Sequence, residues 1–381
     1  MIAYHKQQLD NRAIQEDVVA AFRRKAITAE EKQAIINAYP TRGYSPHFAI
    51  RVGLFVLTVV IAMCVLGIGA LCMMSGLDSE AALRSLLIIT GLVAYGGMEF
   101  YISQGHFHSG VDDALRWTSA GLLLAGMAPF ERDTEATLLA VSCVLAGLFT
   151  LRTADPLMAV ASFLSLLGSV LFSLHQDIAG QSTLPFTGMA LSAIVYSAMR
   201  YLHHKPACRY YKGVFPWVLT ASLLTFYMAG NYAVAAAMTG NPYEGNAPAH
   251  MPFYWTFTAL VPVVYIFLGI RFKDAILLRT GLGLVAAAIF TVRAYYHALP
   301  LEWALVIAGA VLIFISYMLI RYLKTPRHGF SDEPGEDASR FTKLQLESLI
   351  ISQSMQAPAA PQDHFDFGGG SGGGGGAGGT F

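Results

Sequence analysis

Glu99, His106, His108, Asp112, Asp113 and Arg116 put six ionisable side chains within eighteen residues of a chain in which only 13% of residues are charged. Imidazoles and carboxylates at this density suit a divalent cation or a proton relay, because imidazole titrates near neutrality and both groups offer lone pairs. The spacing argues against the common metal motifs. His106 and His108 stand at i and i+2, which share no helix face, so only a loop can converge them. The His-Glu-x-x-His pattern of zincins is absent. Asp112-Asp113 is followed by Ala-Leu-Arg, not by the further carboxylate of a diphosphate-binding Asp-Asp-x-x-Asp run. A structural alternative stays open: Asp112 and Asp113 suit a helix N-terminus, where a carboxylate opposes the positive end of the dipole, and Gly110 allows the turn. Glu99 lies about one turn inside an apolar segment, where ionisation is costly without a partner.

Two further groups are candidates for ligand contact. Arg293 lies beside Tyr295, Tyr296 and His297, with Glu302 across a turn containing Pro300 and available to pair with it. It suits a substrate carboxylate or a lipid phosphate, and equally a side chain that snorkels to an interface among belt aromatics. Asn231 and Tyr227 are one turn apart on one helix face, positioned to line a polar cavity or to bond between helices. The basic loop from Arg200 to Lys212 fits topology signalling and contact with anionic lipid. No nucleic-acid-binding fold accompanies it, so nucleic acid is not expected as a partner. Phosphate-loop motifs are missing. Cys64, Cys72, Cys143 and Cys208 have neither disulfide nor zinc spacing. No catalytic residue, metal or cofactor is assigned.

These residues are carried by about ten apolar segments of membrane-spanning length, roughly 17–25 residues each. They lie near Ala49–Met74, Ser85–Ser103, Ala114–Phe130, Thr134–Leu151, Pro156–Leu174, Pro185–Leu202, Phe215–Met238, Pro252–Ile270, Ala275–His297 and Leu301–Ile320. Hydrophobic residues make up 55% of the chain, and a soluble domain would carry about 25% charged residues. Hydrocarbon satisfies no backbone group, so segments this long and apolar must be helices. A transmembrane barrel would need alternating stretches of about ten residues, which are absent. The expected fold is all-α: a polytopic membrane bundle of about ten helices. With both termini cytoplasmic, eight Lys and Arg fall in the N-terminal segment, nine in or beside internal loops and five from Arg321 onward. Arg84, Arg132 and Arg293 alone fall toward the outer side. That asymmetry obeys the positive-inside rule. The first 45 or so residues lack an apolar signal core, so no cleavable signal peptide is expected. Pro262 is expected to bend the eighth segment.

Residues 1–46 form a cytosolic helical hairpin: Ile14, Val18 and Phe22 make one apolar stripe, and Thr28-Ala-Glu-Glu31 is a capping box. So small a unit has a weak core, which favours docking on a partner or on the membrane domain. Residues 47–322 form the transmembrane bundle. Residues 323–366 form a cytosolic tail with one short helix near Arg340–Met355, and 367–381 a disordered glycine-rich tether or aromatic-ended handle. Ile27-Thr-Ala-Glu-Glu31, Tyr39-Pro-Thr-Arg-Gly-Tyr-Ser-Pro46, Ile50-Arg-Val-Gly-Leu-Phe55, Ser109-Gly-Val-Asp-Asp-Ala-Leu115, Tyr322-Leu-Lys-Thr-Pro-Arg327 and the terminal Phe-Gly-Gly-Gly-Ser form a set. It resembles uncharacterised multi-pass membrane proteins of Bacteroidetes-type bacteria that begin with a two-helix cytosolic module. The resemblance implies architecture and an inner-membrane location, and brings no activity, cofactor or catalytic residue. The expected role is a non-enzymatic sensor, scaffold or assembly component. Its expected partners are membrane lipids and a protein met through the N-terminal hairpin or the glycine-rich tail. The alternatives are a small-molecule or ion transporter and, third, a membrane-embedded enzyme acting on a lipid-linked substrate.

Overall fold

The computed structural model describes residues 2–23, 26–41, 48–72, 80–105, 107, 109–128, 135–175, 183–239 and 250–296, with scattered positions from 303 to 321. Among these the chain is all-helical and holds no strand. The helices are α1 (Lys6–Arg23), α2 (Ala29–Ala38), α3 (Phe48–Cys72), α4 (Glu80–Ser103), α5 (Val111–Met127), α6 (Glu135–Thr153) and α7 (Pro156–His175). They continue with α8 (Leu184–His203), α9 (Phe215–Gly230), α10 (Tyr232–Thr239), α11 (Met251–Phe272) and α12 (Ala275–Tyr296). A 3-10 helix, Pro206–Tyr211, joins α8 to α9, and the described positions from Trp303 to Arg321 are helical. The expected tail helix near Arg340–Met355 and the glycine-rich segment lie outside the described residues, as does the turn from His297 to Glu302.

Local chemistry explains the helix ends that matter. The Glu31 N–H donates to Thr28 Oγ1 at 3.2 Å and the Thr28 N–H donates back to the Glu31 carboxylate at 2.8 Å, completing the capping box at α2. These hydrogen bonds from Thr28 hold Glu31 below its ordinary carboxylate range. The cap therefore contributes at neutral pH and weakens as acidification passes through that lowered range.

Consecutive helices pair as antiparallel hairpins, α4 with α5, α6 with α7, α8 with α9 and α11 with α12. Small residues set each register. Ser119 Oγ donates to the Gly91 carbonyl at 2.8 Å, and Gly126 lies against Ile88 and the Arg84 carbonyl. Ser162 Oγ reaches the Cys143 carbonyl at 2.9 Å, and Ser169 Oγ the Ala136 carbonyl at 2.9 Å. Ser192 and Thr225 share a hydroxyl bond of 2.9 Å. A Cβ on Gly269 would stand 2.7 Å from the Leu278 nitrogen. Such contacts are how helices associate where solvent supplies no hydrophobic drive.

Among the described residues six helices, α3, α4, α6, α7, α11 and α12, are long and apolar enough to cross a membrane, and α9 with α10 makes a seventh if the bent pair is one span. Helix α3 has no buried residue and exposes Val52, Val56, Val60 and Ile61. Apolar surface on this scale belongs against acyl chains, and the protein is a membrane protein. Helix α5 has 17 residues with charges in its first turns, and α8 carries Ser, Thr, Arg and His among its 20. The seventh apolar segment is broken at Asn231, where α9 and α10 meet at 69°, and α11 continues as one helix through the buried Pro262. Helix α5 begins at Val111, three residues before the apolar segment from Ala114, and carries Asp112 and Asp113 in its first turn, as their reading as helix-start residues expects.

Candidate functional site: a buried ionic cluster

Where the N-terminal ends of α3, α5 and α7 come together, five charged side chains and a tyrosine form one connected network. Asp112 is fully buried. Its Oδ1 accepts from the Ser109 N–H at 2.8 Å and from Ser109 Oγ at 3.1 Å, which holds the turn into α5. Its Oδ2 accepts from the Tyr4 hydroxyl at 2.8 Å, across 108 residues of sequence. The next residue, Asp113, takes Arg51 Nε from α3 at 2.9 Å and also pairs with Arg116 one turn on. Arg116 is 1% exposed and reaches Asp155 with Nη2 at 2.9 Å. Asp155, between α6 and α7, accepts from the Met158 N–H at 2.8 Å and so caps α7.

Three carboxylates face two guanidiniums here. Buried charge is tolerated only when paired and hydrogen-bonded, and each carboxylate has at least two donors. Arg116 is less well provided: its Nε and Nη1 are buried without a partner among the described residues. Burial and the neighbouring Asp112 push the Tyr4 phenol well above its ordinary range, so it remains a donor. The Phe107 ring lies tilted at 4.8 Å from the Tyr4 ring and takes the Arg12 guanidinium on its face at 4.3 Å. The N-terminal segment is thus tied to the bundle. The Ala3 N–H donates to the Arg152 carbonyl at 2.7 Å, and Arg209 pairs with Asp10 at 2.9 Å.

Glu99 lies beside this network but is occupied. Arg152 from α6 grips it with Nε and with Nη2 at 2.7 Å, and the Tyr95 hydroxyl adds a third bond at 3.0 Å. That is the partner an ionised carboxylate at this depth requires. His106 and His108 lie outside the described residues. Among those described, no group of three or more His, Cys, Asp or Glu is placed to hold a metal ion.

Asn231 occupies the α9–α10 break. Its Nδ2 donates to Thr291 Oγ1 at 2.9 Å and to the Tyr227 hydroxyl at 3.2 Å. The break frees backbone N–H groups, and polar side chains take them up: Asn231 Oδ1 accepts from Ala233 at 3.0 Å and Thr258 Oγ1 from Tyr232 at 3.0 Å. Arg293 is not brought to this group. It lies two residues beyond Thr291, about 200° further around α12 at 3.6 residues per turn, and its Nε is buried without a partner among the described residues. Tyr295, one turn after Thr291, faces the break instead, with its ring 4.8 Å from Tyr232.

Tyr4, Arg51, Arg152, Asp155, Thr258 and Thr291 are functional neighbours that the sequence did not single out. Arg51, Arg152 and Asp155 carried a signal, since each is a charge at the edge of an apolar segment that needs a counterion. Tyr4, Thr258 and Thr291 carried none. Comparison with protein-family models, curated proteins and solved structures finds no match to this chain.

Proposed function

We propose that this is a ten-span protein of a bacterial inner membrane with both termini cytosolic. In this proposal it acts without catalysis, as a sensor or assembly component whose N-terminal segment reads the inner end of the bundle. The observation that carries the proposal is the buried Tyr4–Asp112 hydrogen bond. It makes a residue of the N-terminal segment a structural member of the charge cluster, so rearrangement of α3, α5 or α7 alters the docking of that segment. Ten spans follow if each hairpin crosses as a unit. Helix α5 returns beside α4 and α8 beside α9, whatever their own hydropathy, and the tenth span is the apolar segment in which the described positions between 303 and 321 are helical. Arg51, Arg116, Arg152, Arg200 and Lys273 all fall at or near helix ends on one side, and the positive-inside rule favours a cytosolic reading of that side. The choice of membrane follows the sequence resemblance.

Tyr4→Phe removes one hydrogen bond to a carboxylate, worth about 1.5–3 kcal/mol. The expected result is loss of hydrogen-exchange protection across residues 2–10, with the hairpins from α4 to α12 unchanged. Free exchange at those residues in the wild-type protein in nanodiscs would refute the docked segment and the sensor with it.

A second role, transport, is favoured by the broken span, because discontinuous helices lined by polar groups build substrate sites in transporters. Asn231→Leu strips the break of the Asn231 side-chain bonds and is expected to cost about 1–3 kcal/mol. In liposomes bearing the wild-type protein, proton, sodium or potassium flux abolished by Asn231→Leu would replace the sensor role. Equal leak with and without the protein would retain it.

A further inference from the structure

Helices α8, α9, α11 and α12 border an open cleft of about 480 Å³, within the roughly 300–1,000 Å³ typical of small-molecule sites. Its origin lies in how these helices associate. Helix α9 forms the floor, packed against α8 on one side and against α11 and α12 on the other. Across the gap, α8 is tied to the beginning of α12 by an ion pair, Arg200 Nη1 to Asp274 at 2.7 Å. Asp274 is fully engaged, since its other oxygen caps α12 through the Ile276 N–H at 2.9 Å. Arg200 is not. Its side chain is 42% exposed, and its Nε and Nη2 bond no described residue.

The cleft is mostly apolar and carries one cation in its lining. Residues Ser192, Tyr196 and Arg200 recur every four along α8, so one face of that helix lines it over about 12 Å at 1.5 Å per residue. Leu223, Phe226 and Leu268 line it as well, with the Ser192 and Ser222 hydroxyls already spent on Thr225 and the Leu219 carbonyl. The Arg200 charge is answered by Asp274, and its Nε and Nη2 are left to donate to a second anion. An apolar cleft with such a guanidinium fits a molecule with an acyl body and a single anionic head. A neutral ligand would leave those two donors without an acceptor, and a free phosphate would leave the apolar walls empty.

We propose that this cavity binds one acyl chain whose carboxylate or phosphate head pairs with Arg200, an assignment that rests on the membrane architecture proposed above. The ligand would enter from the leaflet that borders the basic loop. The chemistry is shared by a free fatty acid and by one chain of an anionic phospholipid.

The purified full-length chain in nanodiscs of phosphatidylcholine distinguishes these sources. Native mass spectrometry and thermal unfolding would follow oleate, oleyl alcohol, or phosphatidylglycerol added to the nanodisc. Saturable binding of one oleate, or retention of one phosphatidylglycerol over phosphatidylcholine, supports the site and names its source. Arg200→Gln is expected to weaken the anionic ligand at least about tenfold, the cost of losing a charge-assisted bond. Ala193→Phe keeps Arg200 but fills the cleft and is expected to abolish binding, while Arg271→Gln, an exposed cation of α11 outside the lining, binds as wild type. Oleyl alcohol binding as tightly as oleate, or Ala193→Phe binding as well as wild type, would overturn the proposal. Binding without any change in exchange at residues 2–10 would keep this site and remove its link to the sensor role.

Discussion

Replacing Arg116 with methionine is expected to destabilise the protein by about 3–5 kcal/mol, the penalty for stranding buried charge. Methionine fills much of the same volume, so the loss is electrostatic and not a packing defect. The two carboxylates suffer unequally. Asp113 keeps Arg51, whereas Asp155 is left with the Met158 N–H alone. Adding Asp155→Asn removes the stranded charge and preserves an acceptor for the α7 cap, and is expected to restore about half of what Arg116→Met loses. Thermal unfolding of the two single variants and the double variant in detergent measures this coupling directly. Additive losses, or an Arg116→Met protein as stable as wild type, would show that this guanidinium does not hold the cluster together.

Gly110→Ala is the second large effect. The residue before α5 has φ +96°, a backbone conformation that glycine adopts without penalty. Any side chain there costs about 1–3 kcal/mol in strain. A Cβ would also be driven into the carbonyl oxygen of Arg51, a backbone atom of α3 that cannot rotate away. Overpacking of this kind adds about 1–3 kcal/mol. Relief requires α3 to move off α5, which pulls Arg51 from Asp113. Gly110→Ala is therefore expected to lower the unfolding temperature and to expose residues 2–10 together, since Ser109 and Asp112 hold both the turn and Tyr4. Gly105→Ala is the matched control: φ there is +86°, but no atom lies within 4 Å of the added carbon. Equal losses in the two variants would mean that backbone strain acts alone and that the α3 contact is immaterial.

Several elements were readable along the chain because their causes are local. The capping box at Thr28 and Glu31 needs only residues three apart. Helix α3 announces itself by an unbroken apolar run, and the Tyr227–Asn231 contact follows from four-residue spacing. Asp112 as a helix-start residue was likewise legible from Gly110 and the dipole, although its helix begins three residues earlier than hydropathy places it. Charges in α5 lower its apparent hydropathy, so the apolar run begins only after they are passed. The break at Asn231 carried no such local signal. It stands where Thr258 from another helix takes the freed Tyr232 N–H, Asn231 itself takes that of Ala233, and Thr291 holds the Asn231 amide.

Composition and periodicity alone determined that this chain is helical, that it belongs in a membrane, and where its charges are scarce enough to need explanation. Those properties are sums over neighbours in sequence, and a helix in hydrocarbon satisfies its own backbone. Which charge answers which was decided only by tertiary structure. Asp112 meets Tyr4, Arg116 meets Asp155, Glu99 meets Arg152 and Arg200 meets Asp274 across 108, 39, 53 and 74 positions respectively. Any of these carboxylates had several donors to choose from, and electrostatic attraction carries no memory of sequence distance. The selection was made by helix packing, whose registers depend on where glycine and serine let two backbones approach.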